Sequence, residues 1–344
     1  MHEEELRRVE SVQAWLDALA PLESNLDEIR QRLADSDQGY VSVASELVQA
    51  KNHLEEDILP GFKLAKAIGT QAMKLAGSAQ ECILTCAGHI ASGNLRAAIG
   101  SAGTAQIKIS SAFSKTMATG TQLVAASDAA QPIRRELVDA HYRLYDVVKS
   151  NNDHELSMFR LDLICSYGVS SHAVTEMYPA LTVATDHFRS AESNLHTIYG
   201  NGRLIVAQSD TNSEQLAGAQ RGVVDVLNLS AEASRGLVRG GELVEDLLDI
   251  LSDPPDHMTL QTQLGEACSA IGTGLGLSRQ QLEDMNKAID DVIEQLPIKG
   301  IEETCQNIEP QRTALKTDVL SVLTQGHDSM QALKGLLQRI VAQE

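Results

Sequence analysis

Apolar side chains recur at alternating steps of three and four residues near the start of the chain: Val12, Trp15, Leu19, Leu22, Leu26, Ile29 and Leu33. Such a heptad stripe occupies one face of a helix, and that face must be covered by this chain or by another. Folding back is the expected solution. Further stripes follow residue 210, and short turns would bring them alongside as antiparallel neighbours. Pro21 interrupts the stripe without changing its phase. A kink or a helix restart is expected there, because proline removes an amide donor and crowds the preceding turn.

Three later stripes have the same spacing. One runs through Val223, Val226, Ser230, Ala233, Leu237, Gly240, Val244, Leu247 and Leu251. A capping box from Thr211 to Glu214 is its expected start, and Pro254 and Pro255 its end. Another is Leu282, Met285, Ile289, Val292 and Leu296, closed by Pro297 and Gly300. The last is Leu315, Val319, Val322, Met330, Leu333, Leu337 and Ile340, with Gly326 and His327 expected to weaken its middle. The only alternating stretch worth weighing as a strand is "IKIS" at 107–110, which spans four residues. Composition agrees with helices: 43% of residues are hydrophobic but 3% aromatic, and 8 prolines are spread over 344 residues. The fold class expected is all-α, an elongated bundle or array of antiparallel helical hairpins with coiled-coil-like packing and no sheet.

Breaks are expected at "YGNGR" (199–203), "SDPPD" (252–256), "LPIKG" (296–300) and "NIEP" (307–310). "AAQPIRRE" reads as another, with Pro132 opening a new first turn. "KSNNDHE" reads as a loop with Asp153 as N-cap. A faint internal likeness pairs "ESNLDEI" from Glu23 with "ESNLHTI" from Glu192, and "GYVSVASE" from Gly39 with "GRLIVAQS" from Gly202. A duplication would divide the chain near Pro179, into an N-terminal helical region 1–178 and a C-terminal one 179–344.

The net charge of −19 disfavours nucleic acid, whose phosphates an acidic surface repels. The charge is uneven. Twelve acids face Arg279 and Lys287 between 241 and 298, whereas Lys63, Lys66, Lys74, Arg96, Lys108, Lys115, Arg134 and Arg135 face only Glu81 and Asp128 between 63 and 135. Such asymmetry can guide a partner or another part of the same molecule. The cysteines, Cys82, Cys86, Cys165, Cys268 and Cys305, are odd in number and widely spaced, which does not suggest a disulfide framework. "MHEEELRRVESV" contains no apolar signal region, and no run of 18 apolar residues occurs. A cytoplasmic location is expected, although leaderless export would leave the same sequence.

Several motifs bear on chemistry. "AIGTGLGLSRQQL" places glycines at 272, 274 and 276 before a helical stretch. A dinucleotide fingerprint needs G-x-G-x-x-G after a strand; here the third glycine is one residue early and the preceding spacing is helical. A helix–helix junction is expected instead, with Ser278 and Gln281 capping the next helix. Cys82, Cys86 and His89 share one helix face and form a candidate zinc set, but one helix rarely supplies three tetrahedral ligands, so apolar packing is the expected role. His172 with Glu176, and Glu192 with His196, are i, i+4 pairs. No H-E-x-x-H, bundle di-iron E-x-x-H pair, G-x-S-x-G or phosphate-binding P-loop is present, so neither an enzyme nor a cofactor is expected.

Tyr142 and Asp146 have the Y-x-x-x-[DE] spacing and resemble the motif that type VII secretion substrates carry after a helical hairpin. The companion W-x-G turn is missing, since Leu16 and Asp17 follow Trp15. The stretch 75–107 is rich in Ala, Gly and Ser, with Glu81 and Arg96 as its only formal charges. It reads as a helical hairpin buried in a bundle. It also resembles, in architecture alone, the concealed head of α-helical pore-forming toxins. The function expected is a non-catalytic scaffold, adaptor or self-associating protein that meets protein partners through helix faces. The alternative is a secreted or injected membrane-active protein acting through 75–107.

Overall fold

The computed structural model describes residues 2–170, 175–252 and 257–343. Its elements are α1 (His2–His53), α2 (Leu59–Ala91), α3 (Leu95–Ser150), α4 (His154–Ser170), α5 (Tyr178–Ser252), α6 (His257–Glu294), α7 (Ile298–Ala314) and α8 (Ser321–Gln343). π-helical turns at Leu54–Ile58 and Leu315–Leu320 join α1 to α2 and α7 to α8, and a 3-10 turn at Thr175–Met177 precedes α5. No strand occurs among the described residues. The fold is an all-α helical bundle.

The chain forms two compact units. One comprises residues 1–49, 136–212 and 299–344, and the other 50–135 and 213–298. They are not the sequence halves 1–178 and 179–344, because each draws on both. α5 contributes residues 178–212 to the first unit and 213–252 to the second.

In the first unit the stripe from Val12 to Leu33 is 0–6% exposed. The chain folds back over it. Trp15 Nε1 donates to Ser166 Oγ of α4 at 3.1 Å, and Lys334 Nζ of α8 reaches Glu23 at 2.8 Å. Neighbours run antiparallel: down α1 from Glu23 to Asp37, the partners climb back from Lys334 to Arg312. The same opposition joins α5 to the closing segment, with Asn194 bound to Asp318 and Asn212 to Thr304.

The second unit is an up-and-down four-helix bundle. Ser78 of α2 meets Lys108 of α3, Thr116 of α3 meets Ser230 of α5, Glu232 of α5 meets Gln281 of α6, and Asp290 of α6 returns to Lys66 of α2. The last contact, at 2.5 and 2.7 Å, joins the basic and acidic stretches of the chain. The stripe from Val223 to Leu251 and that from Leu282 to Leu296 are both buried here.

Several expected breaks are continuous helix. Pro21, Pro132 and Pro310 all lie inside helices, and all three are exposed. The carbonyl that each leaves unpaired therefore opens towards water, while the buried stripes on either side hold the helix together. At "YGNGR" α5 runs on. Gly202 is buried, and a Cβ there would lie 2.8 Å from Val148 Cγ2, so this glycine provides close approach and not a turn. "NIEP" lies within α7, where Ile308 is core. Thr211 is no helix start; its hydroxyl bonds back to the Ala207 carbonyl inside α5. Gly326 does not weaken α8 but seats the Phe188 ring, whose Cε1 would be 2.6 Å from an added Cβ. The breaks at "KSNNDHE" and "LPIKG" are present. At the first, Asn152 Oδ1 accepts from His154 N, while the Asp153 carboxylate turns to His196 Nδ1 at 3.0 Å. Pro254, Pro255 and the rest of 253–256 lie outside the described residues.

The turn between α2 and α3 follows from "SGN". Gly93 has φ +73°, the left-handed conformation that ends helices, and Asn94 Oδ1 accepts from Ala97 N to start the next. The π turns have a sequence cause too. The buried positions Leu47, Ala50 and Leu54 continue as Ile58, Phe62 and Ala65, one residue later than a strict heptad allows. A π turn takes up one extra residue and restores the phase. The same skip at Leu315, Val319 and Leu323 coincides with the second π turn, so Leu323 is core in place of the expected Val322.

Candidate functional site

The glycine run is not a phosphate cradle. Residues 272, 274 and 276 lie inside α6, which continues from His257 to Glu294. Ser278 does not cap a helix; it is buried, donates to the Gly274 carbonyl at 3.1 Å and packs against Gly236 of α5. Gln80 Nε2 of α2 donates to the Gly272 carbonyl at 3.0 Å and occupies the space a side chain at Gly276 would take. A cradle needs free amides at a helix start, and here the amides lie within helix.

Cys82, Cys86 and His89 lie along α2 with Cys86 fully buried and Cys82 half-buried. No group of three or more His, Cys, Asp or Glu among the described residues is placed to hold a metal ion. Cys86 instead meets Cys268 of α6. The interaction with Cys268, together with burial, pushes the Cys86 thiol up from its ordinary value. The sequence holds a partial signal for this pair: Cys86 is in phase with Ala79, Ile83 and Ile90, and Cys268 with Leu264, Ile271 and Leu275. What it lacks is the pairing itself, which depends on how α2 and α6 align.

Other sequence candidates disperse. Glu192 pairs with Arg160 Nε at 2.7 Å, not with His196. His172, the partner expected for Glu176, lies outside the described residues. Tyr142 and Asp146 lie on α3, with Tyr142 exposed. The hairpin over 75–107 is buried along one face only. Leu84 and Ile107 are 61% and 69% exposed. No described helix is long and apolar enough to cross a membrane.

One surface feature stands out that sequence reasoning missed. In the second unit α3 and α5 leave an open groove of about 690 Å³. Gly120, Ala125, Ser230 and Ala231 form small-residue walls, with Met117, Val124 and Leu227 as the large apolar side chains. Met117 and Val124 are 53% and 43% exposed, and Val224 is solvent-facing on α5. Asp128 is the one charged residue among those lining it. The missed signal is a second, sparser set of apolar residues on the outer faces of these helices.

No protein family matches the chain, and neither does any curated protein. Among solved structures it is similar to a Bacillus cereus HblL1 toxin component, at 10% identity over 94% of this chain and 93% of that one, with a TM-score of 0.20. A score that low carries no argument about fold or activity.

Proposed function

We propose that this chain is a non-catalytic interaction protein that works through helix faces, and that the α3–α5 groove takes an amphipathic helix of a protein partner. The groove carries the reading. Solvent-facing Met117 and Val124 over a trough of small residues suit a helix-in-groove mode, in which apolar anchors three and four residues apart fill the trough. Asp128, the one charged residue among those lining the groove, favours a basic residue flanking the partner's apolar face.

A photo-crosslinker at position 124, with the same probe at exposed Ala129 as control, tests this in the native cell. The expected result is an adduct on one amphipathic helix with a basic flank, and binding of the purified pair that Leu227→Asp abolishes. Adducts scattered over unrelated proteins, or equal at both positions, would reject the reading.

The second reading is membrane activity through the α2–α3 hairpin. Its support is the sparse charge of 75–107 together with exposed Leu84 and Ile107. Leakage from dye-loaded vesicles, reduced by Leu84→Asp, would favour it over docking.

A further inference from the structure

Helices α2 and α6 run antiparallel in a fixed register. Lys66 pairs with Asp290, Gly69 lies against Asn286, Gly77 against Arg279, and Gln80 against Gly276. Each step along α2 is matched by a similar step back along α6. Continued by about two turns, the register brings Cys86 opposite Cys268. Both side chains are buried, at 0% and 2% exposure. Ala76 and Ala79 on α2 and Gly276 on α6 hold the helices together about two turns away, and the pair itself sits between Ile83 and Ile90 on α2 and Leu264 and Ile271 on α6. A disulfide needs facing Cβ atoms on backbones that approach closely, and opposed core positions of tightly packed helices provide that arrangement.

We propose that Cys86 and Cys268 are a disulfide-forming pair that ties α2 to α6 when the chain meets a hydroperoxide. One thiolate attacks the terminal peroxide oxygen; the O–O bond breaks, the alcohol or water leaves, and a sulfenic acid remains. The second sulfur then attacks the sulfenic sulfur, the S–O bond breaks and water leaves with the thiol proton. Two electrons pass from the two thiols to the peroxide. Either sulfur serves as the first nucleophile, since both are buried at core positions and the product is the same. Burial means that reaction waits for α2 and α6 to part locally, so the pair is slow to oxidise and, once joined, slow to reduce. The bond would hold the α2–α3 hairpin against α6 in oxidising surroundings and release it in reducing ones. This proposal is independent of what the α3–α5 groove binds.

The experiment uses the full chain as Cys82→Ser/Cys165→Ser/Cys305→Ser, with the unsubstituted chain alongside in case the triple variant folds poorly. Each is treated with hydrogen peroxide, blocked with an alkylating agent, and read by intact mass and peptide mapping. The expected product is a monomer lighter by two hydrogens, with the peptides carrying Cys86 and Cys268 joined. Dithiothreitol should restore the mass, and the oxidised form should melt at a higher temperature than the reduced one. Sulfinic acid on either residue without the joined peptide would overturn the proposal. So would a disulfide between two chains, two unreacted thiols under conditions that oxidise the urea-unfolded chain, or an oxidised form that melts lower.

Discussion

α1 and α2 bury stripes of the same spacing and very different volume. On α1 the core positions from Val12 to Leu33 are Leu, Ile, Val and Trp. On α2 the run is Ala65, Gly69, Ala72, Ala76 and Ala79 before Ile83 takes over. Spacing decides which face of a helix is covered, and volume decides how near the covering helix comes. Large residues on α1 fill the gap to its neighbours with side chain. Small residues on α2 leave little gap to fill: a Cβ at Gly69 would lie 2.6 Å from Asn286 Oδ1 and 2.8 Å from Met285 Cε of α6. The low aromatic content of the chain fits this second kind of core. It also accounts for Gly69 and Gly276, which sit inside helices where a neighbour comes close.

The comparison predicts opposite responses to side-chain size, and the largest effect should come from the large-residue stripe. Leu26 is fully buried, so Leu26→Ala should cost about 2–5 kcal/mol in urea unfolding of the first unit. A cost below about 1 kcal/mol would mean that the stripe is loosely covered, and the contrast would fail.

Tyr40 extends the α1 stripe with a polar tip. Burial pushes its hydroxyl up to about 12, opposed by the hydrogen bond from Asn151 Nδ2 at 3.1 Å. Between the ordinary value of 10 and 12 the unfolded chain loses this proton while the folded chain keeps it. Stability should therefore fall as pH rises through that window, by on the order of 2–3 kcal/mol by its upper end. Tyr40→Phe should unfold with a flatter alkaline dependence. Equal slopes in the two proteins would remove Tyr40 from the buried network.

Gly326→Ala tests a close approach in the first unit. Phe188 is fully buried and three of its ring atoms would lie within 3.1 Å of the new methyl, so a cost of about 1–3 kcal/mol is expected in the same unfolding assay. The smallest effect has the reverse sign. Gly274 has nothing within 4 Å of where an added methyl would sit and lies mid-helix, so Gly274→Ala should stabilise by about 0.5–1 kcal/mol. Destabilisation would restore the reading of 272–276 as a turn.

The periodic part of this fold was legible. Helical class and most core positions follow from steps of three and four, which are written locally, and the breaks after Ser150 and Glu294 follow from local turn chemistry. Pro132, Pro310 and Gly202 misled because a breaker is judged by its neighbours in sequence, while its cost is set by whether it faces water or a packed helix. The skipped residues at the two π turns were visible as a phase slip, but only once both sides of the slip were known to be core. Of the candidate sites, Cys86 could be assigned to a core face from its phase. Its partner Cys268 could not, because the register of α2 on α6 is a tertiary fact. The α3–α5 groove was hidden for the same reason, since its walls come from helices far apart in sequence.

Ala76→Leu tests the central contrast most directly, because the two kinds of core predict different signs. Ala76 is fully buried in the small-residue run of α2. If α2 packs backbone-close, the added carbons have no room, and equilibrium urea unfolding of the second unit should show a loss of about 1–3 kcal/mol. If that stripe were covered as loosely as its small residues would allow, leucine would fill space and bury more apolar surface. The variant would then be more stable than the parent, and the account of a close-packed second unit would be contradicted.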